Sequence, residues 1–410
     1  MNRAALRILC GLALGLVGGS IMAGRAGATP ILAVTASIGR LWLDALTMTV
    51  VPLVFSLLVT GILGAAEDAR QSRVALRAML WFAALLAGGC LAAAMSTTLL
   101  LQLWPVGDAA ASLRPEGAVP AFGGAADWIS GIIPTNPIKA AAETAMVPLV
   151  VFALFFGFAA ARIPAELQRA LQLLFRAIAE TMLVVVHWVL IVAPLGVFAL
   201  AFGLGVRAGA DSVGVLVHYI VTVASACLLI LILAYAAVFV FGRLSPLRFA
   251  KAALPAQIVA LSTQSSLATL PAMIEAAPGL SVGRASAGII LPLAVSIFRG
   301  ASAAANIAVA LYLAALYGQV PSPGMLVIGA LAAAAVSLAA VGLPAQVSFF
   351  ATIGPVCLAL GVPVELLPLL LAVETIPDLF RTVGNVTADM AVLRLAGREK
   401  PALAAGGESG

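Results

Sequence analysis

The polar residues near the C-terminal end of the chain are the ones whose types and spacing could do chemistry. From Glu374 to Asp389 the sequence reads ETIPDLFRTVGNVTAD, between long runs of Leu, Ala, Val and Ile. In a helix that turns by about 100° per residue, its polar residues lie within roughly a 100° arc and form one stripe. The stripe contains Glu374, Asp378, Arg381, Thr382, Asn385 and Asp389.

Charged side chains of this kind carry a cost wherever a helix crosses a membrane. On insertion scales each central Asp or Arg costs about 2.5–3.5 kcal/mol, so such residues face the protein interior. There they usually mark the path of a solute or an ion. The alternative is a set of buried ion pairs that only holds helices together. The density of the stripe favours a solute or ion path.

The composition predicts a membrane protein with several spans. Of the 410 residues, 63% are hydrophobic and 10% are charged, and the mean hydropathy is +1.15. In a soluble domain about a quarter of the residues are charged. Apolar runs of about 20 residues recur along the chain, and each is long enough to cross a bilayer core of about 30 Å.

The excess of positive charge and the cysteines exclude other classes. The net charge of +5 comes from arginine clusters in short loops, which indicates membrane topology and not nucleic-acid binding. The cysteines lie in apolar surroundings without CxxC or histidine spacing, which predicts core thiols and neither a disulfide nor a metal site. They are Cys10, Cys90, Cys227 and Cys357. No cofactor is expected.

Apolar segments predict six spans before residue 245. They are about 5–23, 32–67, 78–103, a segment containing VPLVVFALFFGFAAA, a segment containing MLVVVHWVLIVAPLGVFALAFG, and 213–241. The N-terminus also has features of a cleaved signal peptide, but the many spans that follow favour a retained first helix. Basic residues at 70–77, 162–176, 243–251 and 394–400 fall on one side of the membrane. The positive-inside rule then predicts cytoplasmic N- and C-termini in the cell inner membrane.

Two apolar segments after residue 245 are interrupted in the middle. Residues 249–276 are broken by STQSSLATLP, and residues 323–362 by VGLPAQ. Such breaks are tolerated in a membrane where they line a protein cavity, and a matched pair points to a binding site. We therefore predict two re-entrant hairpins, the alternative being two kinked spans. A continuous apolar helix that carries Arg299 is expected between them, at 287–317.

The order of these features resembles one family. A serine-rich break, a helix, a glycine-proline break and a helix reading DxxRTxxNVTxD follow one another. Together with MTVVPLVFSLLVTGI, IPTNPIKA, FALFFG and APLGVFAL, they make nearly the whole chain similar to the dicarboxylate/amino acid:cation symporters, the glutamate transporter homologues. The fold expected from the sequence and this resemblance is an all-α polytopic membrane protein. It has eight transmembrane helices plus two re-entrant helical hairpins with inverted repeats.

The resemblance also implies an assembly and a division of the chain. The protein is expected to be a homotrimer in the lipid bilayer. Residues 1–212 are expected to be mainly scaffold, although the span at 78–103 belongs with the transport core. Residues 213–400 form that core, which moves across the membrane as a unit, and 401–410 are a cytoplasmic tail.

Site residues follow from the same resemblance. Ser265 and Ser266 match the first tip, which binds a substrate α-carboxylate, while Gln264, Gly342 and Pro344 are placed at the gates. Arg381 matches the arginine that pairs with a side-chain carboxylate, and its planar fork suits two-point recognition. Asp378 matches the residue that holds an α-amino group, which favours aspartate or glutamate over succinate or malate. Further substrate contacts are expected at Thr382 and Asn385, and a cation-site carboxylate at Asp389.

The chain departs from the family at one coupling motif. Most members have NMDGT before the second break, whereas this chain has FRGAS, Phe298 to Ser302. Sodium needs several oxygen ligands, and a guanidinium offers only donors. We therefore hypothesise that Arg299 supplies the positive charge of a bound sodium and faces Asp389 or Asp378. The alternative is a paired arginine without a coupling role.

Transport is accordingly expected to be independent of sodium and driven by protons or by exchange. The coupling cation is expected to be a proton, carried by Glu374, Asp378 or Asp389, because buried carboxyl groups readily change protonation state. Arg299, Ser302, Glu374 and Asp389 form the predicted coupling set.

The prediction is a transporter, not an enzyme, whose partner is a small acidic solute: acidic amino acids first and C4-dicarboxylates second. An intramembrane enzyme is the rival class. A serine hydrolase needs a base near Ser265 or Ser266, and His187 and His218 are distant in sequence. An aspartyl protease needs a Gly-Asp context within a span, and Gly107-Asp108 lies in a loop. A channel does not need Asp and Arg one helical turn apart.

Overall fold

The computed structural model describes residues 3–25, 28–71, 73–107, 133–208, 211–339 and 345–397, and within these ranges the regular structure is helical, without strands. The predicted all-α polytopic membrane fold is confirmed. Among the described residues, five segments are long and apolar enough to cross a bilayer: Thr29–Gly64, Arg73–Leu103, Ala165–Ile191, Val213–Val240 and Arg284–Leu316. The number of spans and the re-entrant nature of the hairpins stay predictions.

The first part of the chain forms two packed groups of helices. The helices are α1 (Arg3–Met22), α2 (Ala28–Thr47), α3 (Val50–Gln71), α4 (Arg73–Leu103), α5 (Pro137–Ala142), α6 (Met146–Ala160), α7 (Ala165–Ile191) and α8 (Ala193–Ala208). Helix α8 packs against α1 and α2, and α3 packs against α6 and α7. Gly15 permits the close contact of α1 with α8, since a Cβ there would lie 2.5 Å from the Phe198 carbonyl oxygen. Small residues at such a crossing are typical of membrane helices.

The second part surrounds one almost fully buried helix. Its helices are α9 (Asp211–Val240), α10 (Pro246–Thr263), α11 (Ser266–Ala276), α12 (Arg284–Ile297), α13 (Gly300–Leu316), α14 (Pro323–Ala339), α15 (Ala345–Ala359), α16 (Leu367–Leu371) and α17 (Thr375–Gly397). Helix α13 is packed by α4, α9, α14 and α17. Its many alanines let these neighbours approach closely. Gly384 of α17 serves the same purpose, because a Cβ there would lie 2.7 Å from the Cβ of Ala301.

The first interrupted segment is a helix–turn–helix. Helix α10 ends at Thr263, and its C-cap residue Gln264 has a left-handed conformation with φ +52° and ψ 33°. Ser265 then caps α11 by accepting a hydrogen bond from the Ala268 N–H at 3.2 Å. The two helices pack against each other. The predicted break therefore lies at STQSS.

The second interrupted segment is described only in its two arms. Helices α14 and α15 pack against each other. Gly342 and Pro344, the predicted gate residues of this segment, lie outside the described residues. Their role stays a prediction.

The expected continuous helix at 287–317 is wrong, because it is divided into α12 and α13. Phe298 and Arg299 separate the two helices, with φ/ψ of −106°/93° and −115°/64°. The backbone N–H groups of Ala301 and Ser302 lie in the first turn of α13, where a helix provides no acceptor for them. They donate to the side-chain oxygen of Asn385 at 2.9 and 3.1 Å. A helix start needs such acceptors. The break is thus stabilised by α17, a partner that local sequence patterns do not reveal.

Candidate functional site

The polar stripe faces the protein interior. Helix α17 begins at Thr375, so Glu374 lies in the turn just before it. Every member of the stripe is buried, from Asp389, which is fully inaccessible, to Asp378, which is 7% exposed. Helix α17, which carries most of the stripe, packs against α9, α13 and the hairpin helices α10 and α11. These charges therefore avoid lipid, as the cost of exposing them requires.

Arg381 is the centre of a buried hydrogen-bond network. Its Nη2 donates to Glu374 Oε1 at 2.5 Å, and its Nη1 donates to Asn306 Oδ1 at 3.4 Å. The second oxygen of Glu374 accepts a hydrogen bond from the Tyr219 hydroxyl at 2.7 Å. Arg381 Nε has no hydrogen-bond partner among the described residues. Glu374 therefore contacts only one of the two donors on this edge of the guanidinium, Nη2, and the other donor, Nε, is not used by Glu374.

Asp378 lies close to this network but outside its hydrogen bonds. Its carbonyl oxygen accepts from the Thr382 hydroxyl at 2.9 Å. Its carboxylate makes no hydrogen bond with other described residues, although it lies within electrostatic range of Arg381 and Arg299. Arg381 pairs with Glu374 instead. The carboxylate of Asp378 is thus available for a cationic group of a bound molecule.

Asn385 and Ser302 are brought together at the start of α13. The Asn385 amide oxygen accepts from two backbone N–H groups there, and its Nδ2 donates to Ser302 Oγ at 2.8 Å. Both side chains are buried, at 2% and 3% exposure. Every polar atom of the Asn385 side chain therefore has a structural partner.

Asp389 lies further along α17, and Arg299 lies just before the start of α13. Neither oxygen of Asp389 has a hydrogen-bond partner among the described residues. Arg299 lies within electrostatic range of Asp389 and of Asp378. The neighbouring Phe298 is buried and stacks on Phe82 of α4, with ring centroids 4.8 Å apart and planes at 14°. An aromatic pair therefore occupies the place where the FRGAS motif departs from NMDGT.

The tip residues of the first hairpin are not hydrogen-bonded to the stripe. Gln264, Ser265 and Ser266 are half-buried. The Ser265 hydroxyl is used as the helix cap, and none of the hydrogen bonds between described residues joins these serines to α17. Helix α11 nevertheless packs against α17.

Two residues of the network were missed by the sequence reasoning, Tyr219 and Asn306. Each is a polar residue in a predominantly apolar helix, and both are fully buried. The cost of a buried polar group in a membrane is the signal that could have found them. The histidines remain outside the network, since His187 is exposed and His218 Nε2 lies 2.9 Å from the Trp104 carbonyl oxygen.

The fold and the site together define a class. A helical membrane protein that keeps unlike charges between its helices, partly without internal partners, is organised to bind a polar solute within the bilayer. The chain belongs to the sodium:dicarboxylate symporter family, whose model matches residues 4–397. It is therefore a membrane transporter and not an enzyme.

Three relatives illustrate the range of the family. The proton/glutamate-aspartate symporter of Escherichia coli is 29% identical over 370 residues, which cover 87% of this chain and 84% of the relative. The proton/sodium-glutamate symport protein of Bacillus subtilis is 28% identical over 405 residues, covering 94% and 90%. The C4-dicarboxylate transport protein of Azorhizobium caulinodans is 29% identical over 273 residues, covering 63% and 59%.

Proposed function

We propose that this protein is a secondary active transporter that carries aspartate and glutamate across the inner membrane together with protons and without sodium. One observation carries the proposal. Buried Arg381 has an unused donor on its two-point edge, while Asp378, one turn away, has a carboxylate without a hydrogen bond to the described residues. An acidic amino acid offers the complementary groups, a carboxylate for Arg381 and an ammonium for Asp378.

The remaining substrate contacts complete this pose. The α-carboxylate would bind hydroxyl and backbone groups of Ser265 and Ser266, and Thr382 and Asn385 would provide further contacts. Gln264 and the second tip at Gly342 and Pro344 would close the gates. The packing of α11 against α17 supports a site between the first hairpin and the stripe.

Arg299 is proposed to replace a bound sodium. A guanidinium cannot serve as a sodium ligand, because it has only hydrogen-bond donors. Its charge acts on Asp389 and Asp378, and Ser302 Oγ is already bonded to Asn385. The stacked pair of Phe82 and Phe298 adds no oxygen ligand.

Glu374 is proposed as the proton carrier, with Asp378 and Asp389 as the other candidates. In the structure Glu374 neutralises Arg381. A solute carboxylate that takes over Arg381 would leave Glu374 as a second buried anion, which is unfavourable unless Glu374 accepts a proton. Uptake of an acidic solute would then bring a proton with it.

The assembly and the movement are also proposals. We expect a homotrimer with cytoplasmic termini, in which the core carries the solute across the bilayer by an elevator-like movement. The distribution of basic loops supports the orientation.

C4-dicarboxylates are the second candidate substrates. The similarity to a C4-dicarboxylate transport protein supports them. Such solutes lack an ammonium group, so they would leave Asp378 uncompensated. That difference makes acidic amino acids the first choice.

The test is uptake by the purified protein in liposomes. Aspartate, glutamate, succinate and malate are offered under a sodium gradient, a proton gradient and no gradient. We expect saturable aspartate uptake that rises with an inward proton gradient and does not depend on a sodium gradient. This uptake should be lost in Arg381→Ala. Uptake that requires a sodium gradient and ignores a pH gradient would refute the proposed coupling.

A further inference from the structure

Asn306 is a fully buried amide in the middle of an alanine-rich helix. It belongs to α13, and its surroundings in sequence are GASAAANIAVAL. Its Oδ1 accepts the hydrogen bond from Arg381 Nη1 at 3.4 Å, which is long for such a bond. Its Nδ2 has no acceptor among the described residues. Because a guanidinium only donates, the amide must turn its oxygen towards Arg381 and its nitrogen away.

Arg381 also has a buried donor without an acceptor among the described residues. Glu374 accepts from Nη2 alone, and Arg381 Nε is buried without an acceptor in the described part of the chain. The two unsatisfied donors belong to side chains that are hydrogen-bonded to each other. Buried polar groups in native proteins normally have partners, so these two donors call for an acceptor that lies outside the described residues.

We propose that Asn306 is a specificity-determining residue that donates its amide N–H to the distal carboxylate of the solute, beside Arg381. This role rests on the proposed function and deepens it. A carboxylate has two oxygens and can accept from both groups. The amide contributes without adding charge, so the site keeps its charge balance while selecting solutes whose distal group is an acceptor.

The structural alternative is that Asn306 only fills space and orients Arg381. Two variants of similar size separate the alternatives. Asn306→Ala removes the amide, and Asn306→Ser leaves one short hydroxyl that can donate. Both residues fit an alanine-rich helix. Thr387→Val is the matched control, since Thr387 is a fully buried polar residue whose hydroxyl accepts from Gln257 Nε2 at 2.9 Å, away from Arg381.

The experiment measures KM and the maximal rate of aspartate uptake in liposomes, together with the melting temperature of each purified variant. We expect Asn306→Ala to raise KM about 10- to 100-fold, as for a lost hydrogen bond to a charged group. Asn306→Ser should recover part of this loss. Thr387→Val should leave KM within about twofold.

The inference is overturned if Asn306→Ala and Asn306→Ser keep the wild-type KM, or if they lower only the maximal rate and the melting temperature. It is also overturned if serine recovers nothing relative to alanine. Failure of the proposed function has another signature, since the wild-type protein would then take up no acidic amino acid, and both proposals would fall together.

Discussion

The surroundings of Glu374 show how one side chain can link solute binding to protonation. Tyr219 and Cys227 of α9 and Arg381 and Asp378 of α17 face it. Removing one partner from a buried ion pair costs about 3–5 kcal/mol, because it leaves a charge uncompensated. A solute is therefore expected to exchange with Glu374 as the counter-ion of Arg381 and not to add to it. If Glu374 takes up a proton when the solute carboxylate binds Arg381, the net charge of the site does not change.

Glu374→Gln should remove the dependence of uptake on the proton gradient. The glutamine is similar in size, and its amide oxygen can still accept a hydrogen bond from Tyr219 or Arg381. Because it cannot take up a proton, net uptake should no longer rise when the external pH is lowered. Exchange of internal for external aspartate should continue. The measurement is sodium-free uptake and exchange in liposomes at a series of external pH values.

Glu365→Gln is the control for this variant. Glu365 also accepts a hydrogen bond from a tyrosine, Tyr317, at 3.4 Å, but it is exposed and lies outside the network. Its variant should keep the wild-type pH response. If Glu374→Gln keeps it as well, Glu374 is not the proton carrier.

At the residue scale, the sequence predicted the buried stripe but not its partners. Six polar residues at helical spacing in an apolar chain are sufficient to place Asp378 and Arg381 in the interior. Tyr219 and Asn306 could not be assigned to them, because each comes from another helix and nothing local shows which residue it faces. Their hydrogen bonds depend on how α9 and α13 pack against α17.

The start of α13 is the element where tertiary structure overrides the local pattern. The hydrophobic pattern of 287–317 favours one helix, yet the chain breaks at Phe298 and Arg299. Asn385 satisfies the first N–H groups of α13 from another helix, as an N-cap residue would do within one chain segment. Asn385 is 83 residues from Ser302 in the sequence, so helix propensity and hydrophobic periodicity could not predict this contact.

Asn385→Ala should therefore destabilise the protein through this cap. Loss of a capping side chain costs about 0.5–2 kcal/mol, and the Ser302 hydroxyl loses its partner as well. We expect a melting temperature that is lower by a few degrees in thermal unfolding of the purified protein. Asn385→Asp keeps an acceptor for the N–H groups and should lose less.

A second cap provides the comparison. Asn136 caps the six-residue helix α5 by accepting from the N–H groups of Ile138 and Lys139 at 2.9 and 3.1 Å, but Asn136 itself is exposed. Asn136→Ala should change the melting temperature much less. Equal effects of the two alanine variants would argue against a special role of Asn385.

The turn within the first interrupted segment was predicted more successfully than the helix that follows this segment. Serines and a threonine at 262–266 mark the turn, and α10 and α11 indeed end and begin there. These signals are local, since Gln264 and Ser265 form the turn from their own backbone and hydroxyl groups. Whether the hairpin enters and leaves on one side of the bilayer is a property of the surrounding lipid and stays a prediction.

At the scale of the whole molecule, the proposed transport depends more on which helices form the site than on the number of spans. Tyr219, Asn306 and Arg381 come from α9, α13 and α17, all of which belong to the expected transport core. The scaffold helices contribute none of the hydrogen bonds described for Arg381. The core is therefore expected to carry a complete site with it, and the purified protein should bind its solute without any gradient.

Binding of aspartate and succinate to the purified protein in sodium-free detergent solution tests most directly whether the site holds two opposite charges. Titration calorimetry compares the wild type with Asp378→Asn and Arg381→Ala. We expect Asp378→Asn to weaken aspartate binding about 10- to 100-fold while succinate binding stays unchanged or improves, and Arg381→Ala to weaken both. If Asp378→Asn binds aspartate as the wild type does, or loses aspartate and succinate by the same factor, Asp378 does not hold the ammonium group and the proposed recognition is wrong.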